Sequence, residues 1–251
     1  MIDLSLVGIG TGNPDHLTLQ AIKALNGADL ILIPRKGETK ADLAELRRTI
    51  VAEVVTNPAT RIAEFDLPVR DEAVPSYRAR VDDWHDAIAL VWKDTILAEI
   101  GPSGRVALLV WGDPSLYDST LRIAERVGRT LPLAIKVIPG ITSLQALTAA
   151  HAIPVNEIGA PFTVTTGRRL REEGWPAGVD TLAIMLDGDC AFRTLDPAGV
   201  TIWWGAYVGM REEIILSGPL ADMADQIIAT RAEARTRHGW IMDIYILRRQ
   251  A

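Results

Sequence analysis

The chain has 251 residues, 48% of them hydrophobic and 23% charged, with a net charge of −6, which suits a soluble globular protein with a sizeable core. The acidic balance excludes a nucleic-acid binder that works by broad phosphate neutralisation. A single cysteine, Cys190, excludes an internal disulfide or a thiolate metal cluster. The histidines at 16, 85, 151 and 238 show no ligand spacing, so no metal is expected. No apolar run approaches the roughly 20 residues of a membrane span. Met1 leads straight into a strand pattern rather than a secretory signal, so a cytoplasmic location is expected.

Ile2 to Gly10 (IDLSLVGIG) predicts a strand entering a glycine turn, followed by apolar residues at helical spacing over Thr18 to Leu25. Asp29 to Pro34 is a continuous apolar run, expected of a parallel strand buried on both faces and ended by its proline. Val81 to Ile100 has the strongest amphipathic repeat, stopped by Gly101 to Gly104. Arg105 to Val110 predicts a strand, Leu116 to Val127 a helix and Ala134 to Ile138 a strand, with crossovers suited to right-handed βαβ units. After Gly140 the pattern turns α+β: strands are expected at Phe162 to Thr166, Val179 to Leu186, Val200 to Tyr207, Glu213 to Leu216 and Trp240 to Leu247, with two evident helices among them. The expected fold class is therefore α/β in two domains, 1–139 and 140–251.

Three strand-to-loop edges carry the candidate chemistry. Gly8-Ile9-Gly10-Thr11-Gly12 invites a dinucleotide reading, but the third glycine of that fingerprint would fall on Asn13, and Ile33-Pro34-Arg35-Lys36 stands where a ribose-binding acid belongs. Trp111-Gly112-Asp113-Pro114-Ser115-Leu116-Tyr117 follows a buried strand, which places Asp113 either in a ligand site or at the cap of a helix beginning near Leu116. Ile138-Pro139-Gly140-Ile141-Thr142-Ser143 is a third such edge. Three edges in one sheet favour a shared cleft.

Taken together, VGIGTGNPDHLTLQAIKALNGADLILIP, GDPSLYDST and IPGITSLQALTAAHAIPVNE resemble, in order and spacing, the three signatures of the tetrapyrrole methylase family. KGETKADLAELRRTI, DDWHDAI, TTGRRL, IMLDGDCAF, WWGAYVG and RHGWIMDIYILRR are similar to one branch of it, which methylates precorrin-5 at C1 and releases its acetyl group as acetate. The resemblance implies a cytoplasmic homodimer of two-domain subunits with S-adenosyl-L-methionine in the interdomain cleft, leaving as S-adenosyl-L-homocysteine. It implies cofactor contacts at Thr11, where many relatives carry proline, and at Gly112, Asp113, Leu116, Thr142 and Ser143. Met185 or Leu186 and Gly205 or Ala206 would hold the adenosine. Methylation of a different precorrin, a protein or an RNA, or a cofactor sensor without turnover, are the alternative readings.

The substrate that the resemblance implies is a polycarboxylate macrocycle, so Gly8, Gly10 and Gly12 are expected to let a flat ring approach the backbone. Arg35 and Lys36, with Arg168, Arg169 and Arg171, are expected to meet its carboxylates. Deacetylation calls for a base or an oxyanion donor. Asp15, His16, Tyr117, Asp118 and His151 stand in or beside the relevant loops, and His16 and Tyr117 are the leading candidates.

Overall fold

The computed structural model describes residues 1–35, 41–70 and 76–249, arranged as two compact units, Met1–Thr142 and Ser143–Ala251. The first unit is a parallel sheet of β1 (Ile2–Gly8), β2 (Leu30–Arg35), β3 (Arg61–Asp66), β4 (Gly104–Val110) and β5 (Leu133–Ile138) in the order β3-β2-β4-β1-β5. Around it lie α1 (Leu19–Asn26), α2 (Ala41–Val54), α3 (Tyr77–Ile100) and α4 (Thr120–Val127). Successive side chains of a strand point to opposite faces. Leu4, Leu6 and Leu108 accordingly join Ile88, Trp92 and Ile96 of α3 and Ile123 and Val127 of α4. Val7, Ile31, Ile33 and Leu109 pack instead with Ala21 and Leu25 of α1 and Ile50 and Val51 of α2. Both faces are covered, which is why Leu30 to Ile33 can be wholly apolar and fully buried.

Local differences from the sequence pattern have local reasons. Pro34 does not end β2, which runs on to Arg35. The pairing of β2 with β4 stops at Leu32, so Pro34 pairs only with β3, where its missing N–H leaves no ladder bond unmade on the other side. The helix expected from Leu116 begins at Thr120. Strand β3 and helix α2 have no counterpart among the expected elements. Helix α3 starts at Tyr77, ahead of the expected Val81, because the Ser76 hydroxyl accepts from the Ala79 amide.

The second unit is a mixed sheet of β6 (Phe162–Thr166), β7 (Thr181–Met185), β8 (Val200–Ala206), β9 (Ile214–Pro219) and β10 (Asp243–Arg249), ordered β6-β7-β10-β8-β9. Only β6 and β7 run parallel. Helix α5 (Ser143–His151) supplies Leu144 and Leu147 to one face. Leu170 of α6 (Gly167–Glu173) and Ile227 of α7 (Leu220–His238) cover the other. The final strand starts at Asp243 rather than Trp240: Gly239 ends α7 in the left-handed conformation, and the carbonyls of Trp240 and Met242 are taken by the Tyr207 hydroxyl and amide.

His85 of α3 is 3% exposed, and neither ring nitrogen has a hydrogen-bond partner among the described residues. Burial, helped by the nearby Arg126, pushes its pKa down. A histidine whose folded pKa is depressed contributes fully above its unfolded pKa of about 6.5 and loses that contribution as pH falls below it, because only the unfolded protein takes up the proton. We predict that His85→Leu flattens the fall in stability between neutral and mildly acid pH in denaturant melts. An unchanged pH slope would show that His85 is not its source.

Candidate active site

The strand order sets β4, β1 and β5 side by side, so the loops after their carboxyl ends are neighbours, at the edge where ligands of parallel sheets bind. Their contact is backbone on backbone. A Cβ on Gly140 would lie 2.1 Å from the Gly112 carbonyl oxygen, and one on Gly8 would lie 2.6 Å from the Gly140 nitrogen. Gly10 and Gly112 form an antiparallel bridge, the Gly112 amide donating to the Gly10 carbonyl at 2.8 Å. The turn after β5 is thereby fixed to the first unit, which runs to Thr142.

This geometry changes the reason for two glycines. Gly8 is required by Gly140 and Gly112, and a Cβ on Gly10 would meet the His16 Cβ at 2.8 Å, so neither needs a macrocycle to explain it. Gly12, at φ 108°, and Thr11 lie beside them, Thr11 buried. The Thr11 hydroxyl is 3.1 Å from His16 Nδ1, which fixes the imidazole at the rim of the loop. Asp15 is exposed, and its amide donates to Asn13 Oδ1 in the short turn that follows.

Asp113 does not cap a helix, since none starts near Leu116. Its Oδ1 accepts from the Ser115 amide at 2.8 Å and from the Ser115 hydroxyl, and its Oδ2 accepts from the Gly140 amide at 2.9 Å. Asp113 thus ties the β4 loop to the β5 loop. Burial pushes its carboxyl up, but the bonds from Ser115 and Gly140 outweigh that and hold it below the ordinary carboxylate value. Leu116 is half-buried, and the Tyr117 side chain is exposed on a backbone at φ 50°. That region is unfavourable for a bulky residue. Asp118 accepts from the amide and hydroxyl of Thr120 and so closes the loop onto α4.

The arginines singled out from the sequence are largely committed elsewhere. Arg35 is 2.9 Å from Asp66 and 3.8 Å from Glu64, so its charge is met on β3. Lys36 lies outside the described residues. Arg169 pairs with Glu173, one turn along α6, at 2.8 Å. Arg171 pairs with Asp187 at 3.0 Å and Asp189 at 3.4 Å, and Arg168 is exposed. Arg47 of α2 lies within the stretch KGETKADLAELRRTI, but nothing in that stretch showed what it would lie against. Its Nε donates to the Leu109 carbonyl at 3.4 Å and its guanidinium lies 5.2 Å from the centre of the Trp111 ring. Burial lowers Arg47 to about 10, with Asp118 pulling the other way.

In the second unit, Met185 ends β7 and is half-buried, and Leu186 follows at φ 53°, 66% exposed. Gly205 and Ala206 end β8 fully packed, and a Cβ on Gly205 would meet Val208 and Leu147 side chains at 2.6 and 2.7 Å. Only their backbone is available to a ligand. Asp187 is the residue that sequence reasoning missed here. It is buried, accepts from Arg171, the amides of Asp189 and Ala191, and the Tyr245 hydroxyl, and lies where any Cβ on Gly167 would stand. His151 Nε2 is 3.1 Å from the Trp204 carbonyl, a contact internal to this unit. Thr142 and Ser143 stand at the junction into α5 and are half-buried.

A two-unit α/β architecture, with a parallel sheet whose edge loops are locked by glycine contacts and a mixed sheet after it, is the fold of a known class of methyltransferases. The model of the Tetrapyrrole (Corrin/Porphyrin) Methylases matches residues 3–224, and the protein belongs to that family. Across its whole length it is 51% identical to a Sinorhizobium protein named precorrin-6A synthase [deacetylating], 97% of which is covered. A solved cobalamin synthesis related protein (CobF) from Corynebacterium diphtheriae superposes with a TM-score of 0.85 at 38% identity, with 100% of both proteins covered. A uroporphyrin-III C-methyltransferase from Thermus thermophilus, solved with S-adenosyl homocysteine, shares the fold with a TM-score of 0.58 at 20% identity over 98% of this protein and 91% of its own length. No described helix is long and apolar enough to cross a membrane.

Two substitutions test the locked edge. Gly140→Ala drives a Cβ into the Gly112 carbonyl and should cost about 3 kcal/mol, whereas Gly188→Ala, with open space around it, should stay within about 0.5 kcal/mol. Equal denaturation midpoints for the two would remove the glycine contact as a constraint. Asp113→Ala should cost about 1–3 kcal/mol. Because the folded carboxyl sits below its ordinary value, that contribution is present above about pH 4 and lost as pH falls through the folded pKa. The loss on substitution should therefore shrink in melts at strongly acid pH.

Proposed function

We propose that this protein methylates precorrin-5 at carbon 1 and releases the acetyl group as acetate, giving precorrin-6A. The observation that carries the reading is the 51% identity, end to end, with a relative that bears this activity in its name. We further propose that it works as a cytoplasmic homodimer, as the family resemblance implies. S-adenosylmethionine, when bound, supplies a methyl group on a cationic sulfur that is open to attack by a carbon nucleophile.

The loop chemistry fits a cofactor without phosphate. Phosphates are held by free amides at a helix N-terminus. Helix α1 starts well past the glycine loop and has the Thr18 hydroxyl on its Ala21 amide, and the Thr120 amide of α4 is taken by Asp118. What the edge offers instead is backbone held still. Gly112, Asp113 and Leu116 are assigned to the methionine end, with Thr11, Thr142 and Ser143 beside them. Asp113 acts by fixing the loops, since both its oxygens are engaged. Met185, Leu186, Gly205 and Ala206 are assigned to the adenosine, the last two through backbone only.

For the acetyl group, water adds to the carbonyl carbon, the bond to the ring breaks, acetate leaves, and the electron pair stays in the ring to take the methyl. His16 and Tyr117 are the residues we assign to this step. His16 Nδ1 is held against the Thr11 hydroxyl, and in the tautomer in which Nδ1 donates there, Nε2 is left to take the proton from water. The Tyr117 hydroxyl is assigned to donate to the developing oxyanion. Acetate and methylated product should appear one to one in the same quenched samples. Methylated product that keeps its acetyl group would refute the deacetylating assignment, and protein or RNA as the preferred methyl acceptor would redirect it to macromolecular substrates. Enzyme loaded with S-adenosylhomocysteine should still release acetate in a single turnover if cleavage comes first, and none if methylation does.

A further inference from the structure

In the sheet of the second unit, β10 lies between β7 and β8 and runs antiparallel to both. Strands β7 and β8 therefore end at the edge where β10 begins, and those ends are the ones assigned to adenosine. Asp243, the first residue of β10, is the register partner of Ala206. Leu186, past the end of β7, holds a left-handed backbone at φ 53°, a state that lasts only where its surroundings over-determine it. Asp187 supplies that restraint. Its carboxylate accepts from the Tyr245 hydroxyl of β10 at 2.7 Å, and its carbonyl accepts from Arg231 Nη2 at 2.9 Å.

Arg231 of α7 reaches the other strand end with the same guanidinium. Its Nε donates to Asp243 Oδ2 at 2.9 Å, and that oxygen also accepts from the Trp204 indole of β8 at 3.0 Å. The side chains of this ion pair are 12% and 8% exposed. We propose that Arg231 is a positioning residue for the cofactor, its guanidinium setting the spacing between the turn after β7 and the end of β8 so that their main chains meet adenosine together. The role rests on the assignment of adenosine to Met185, Leu186, Gly205 and Ala206, and deepens it by naming what holds that backbone. Arg231 stands in none of the family motifs. Its planar fork matters, because the one ammonium nitrogen of a lysine cannot take the places of Nε and Nη2 at once. The competing account is a buried ion pair that merely holds α7 to the sheet, and in that case cofactor affinity follows stability.

Arg231→Lys keeps a charge for Asp243 and removes the fork. Arg231→Met combined with Asp243→Asn removes both charges and leaves the Trp204 indole an acceptor; discharging both members of a buried pair costs far less than removing one. The full-length variants are melted in denaturant and titrated with S-adenosylhomocysteine by calorimetry. Both should keep midpoints near that of the wild type and bind S-adenosylhomocysteine about tenfold more weakly, the worth of one hydrogen bond. In methyl transfer, the KM for S-adenosylmethionine should rise more than kcat falls. Wild-type affinity in both variants overturns the role, and so does an affinity loss confined to variants whose midpoints fall, which is the outcome of the competing account. Hydrogen exchange on the wild type tests the underlying assignment separately: S-adenosylhomocysteine should slow backbone exchange in the turn after β7, at residues 186–189. Absence of that protection overturns the adenosine assignment, and the positioning role with it.

Discussion

The close approach of Gly8, Gly112 and Gly140 is the constraint on which the candidate site depends. Three loops leave adjacent strands, and their main chains touch where even a methyl group would collide. Contact at that distance removes the independent motion that loops ordinarily have. The Asp113 carboxylate then spans the same gap from the side, bonding the Ser115 amide with one oxygen and the Gly140 amide with the other. A methyl transfer asks mainly for two groups held in line and for water kept out. A locked set of backbone loops is the kind of support that the first of these requires.

The polar side chains divide by where their partners lie. Arg35, Arg169 and Arg171 each face a carboxylate of the protein itself, and Asp187 organises the end of β7 by accepting from two amides, a guanidinium and a phenol. Such pairs fix local structure, and exposed ones contribute little to stability. Arg47 of α2 lies 5.2 Å from the centre of the Trp111 ring, just past the end of β4.

Strain is placed at the ends of two strands of the second unit. The exposed Leu186 and the buried Tyr207 hold left-handed backbones that bulky residues avoid, one directly after β7 and one directly after β8. Each follows a strand whose register is fixed by neighbours on both sides. Rigid strands can impose an unfavourable turn on the residue that follows them, and such positions gather at functional sites.

The sequence by itself determined the two-part α/β organisation, the parallel core strands and the glycine-bearing loops at their ends, because burial on both faces writes continuous apolar runs and turns write glycine and proline. It also carried the family, through motifs long enough to be specific. It could not show that Gly8 serves Gly140, since a glycine required by another main chain far along the sequence looks the same as one required by a ligand. Nor could it tell an arginine that meets a carboxylate from one that lies against an aromatic ring. Arg171 and Arg47 are alike as letters, and only the fold sets one against Asp187 and the other against Trp111. Strand order made those choices: it brings β4 between β2 and β1 and so decides which distant side chains and carbonyls meet, and long-range pairing of that kind leaves no local periodicity to read.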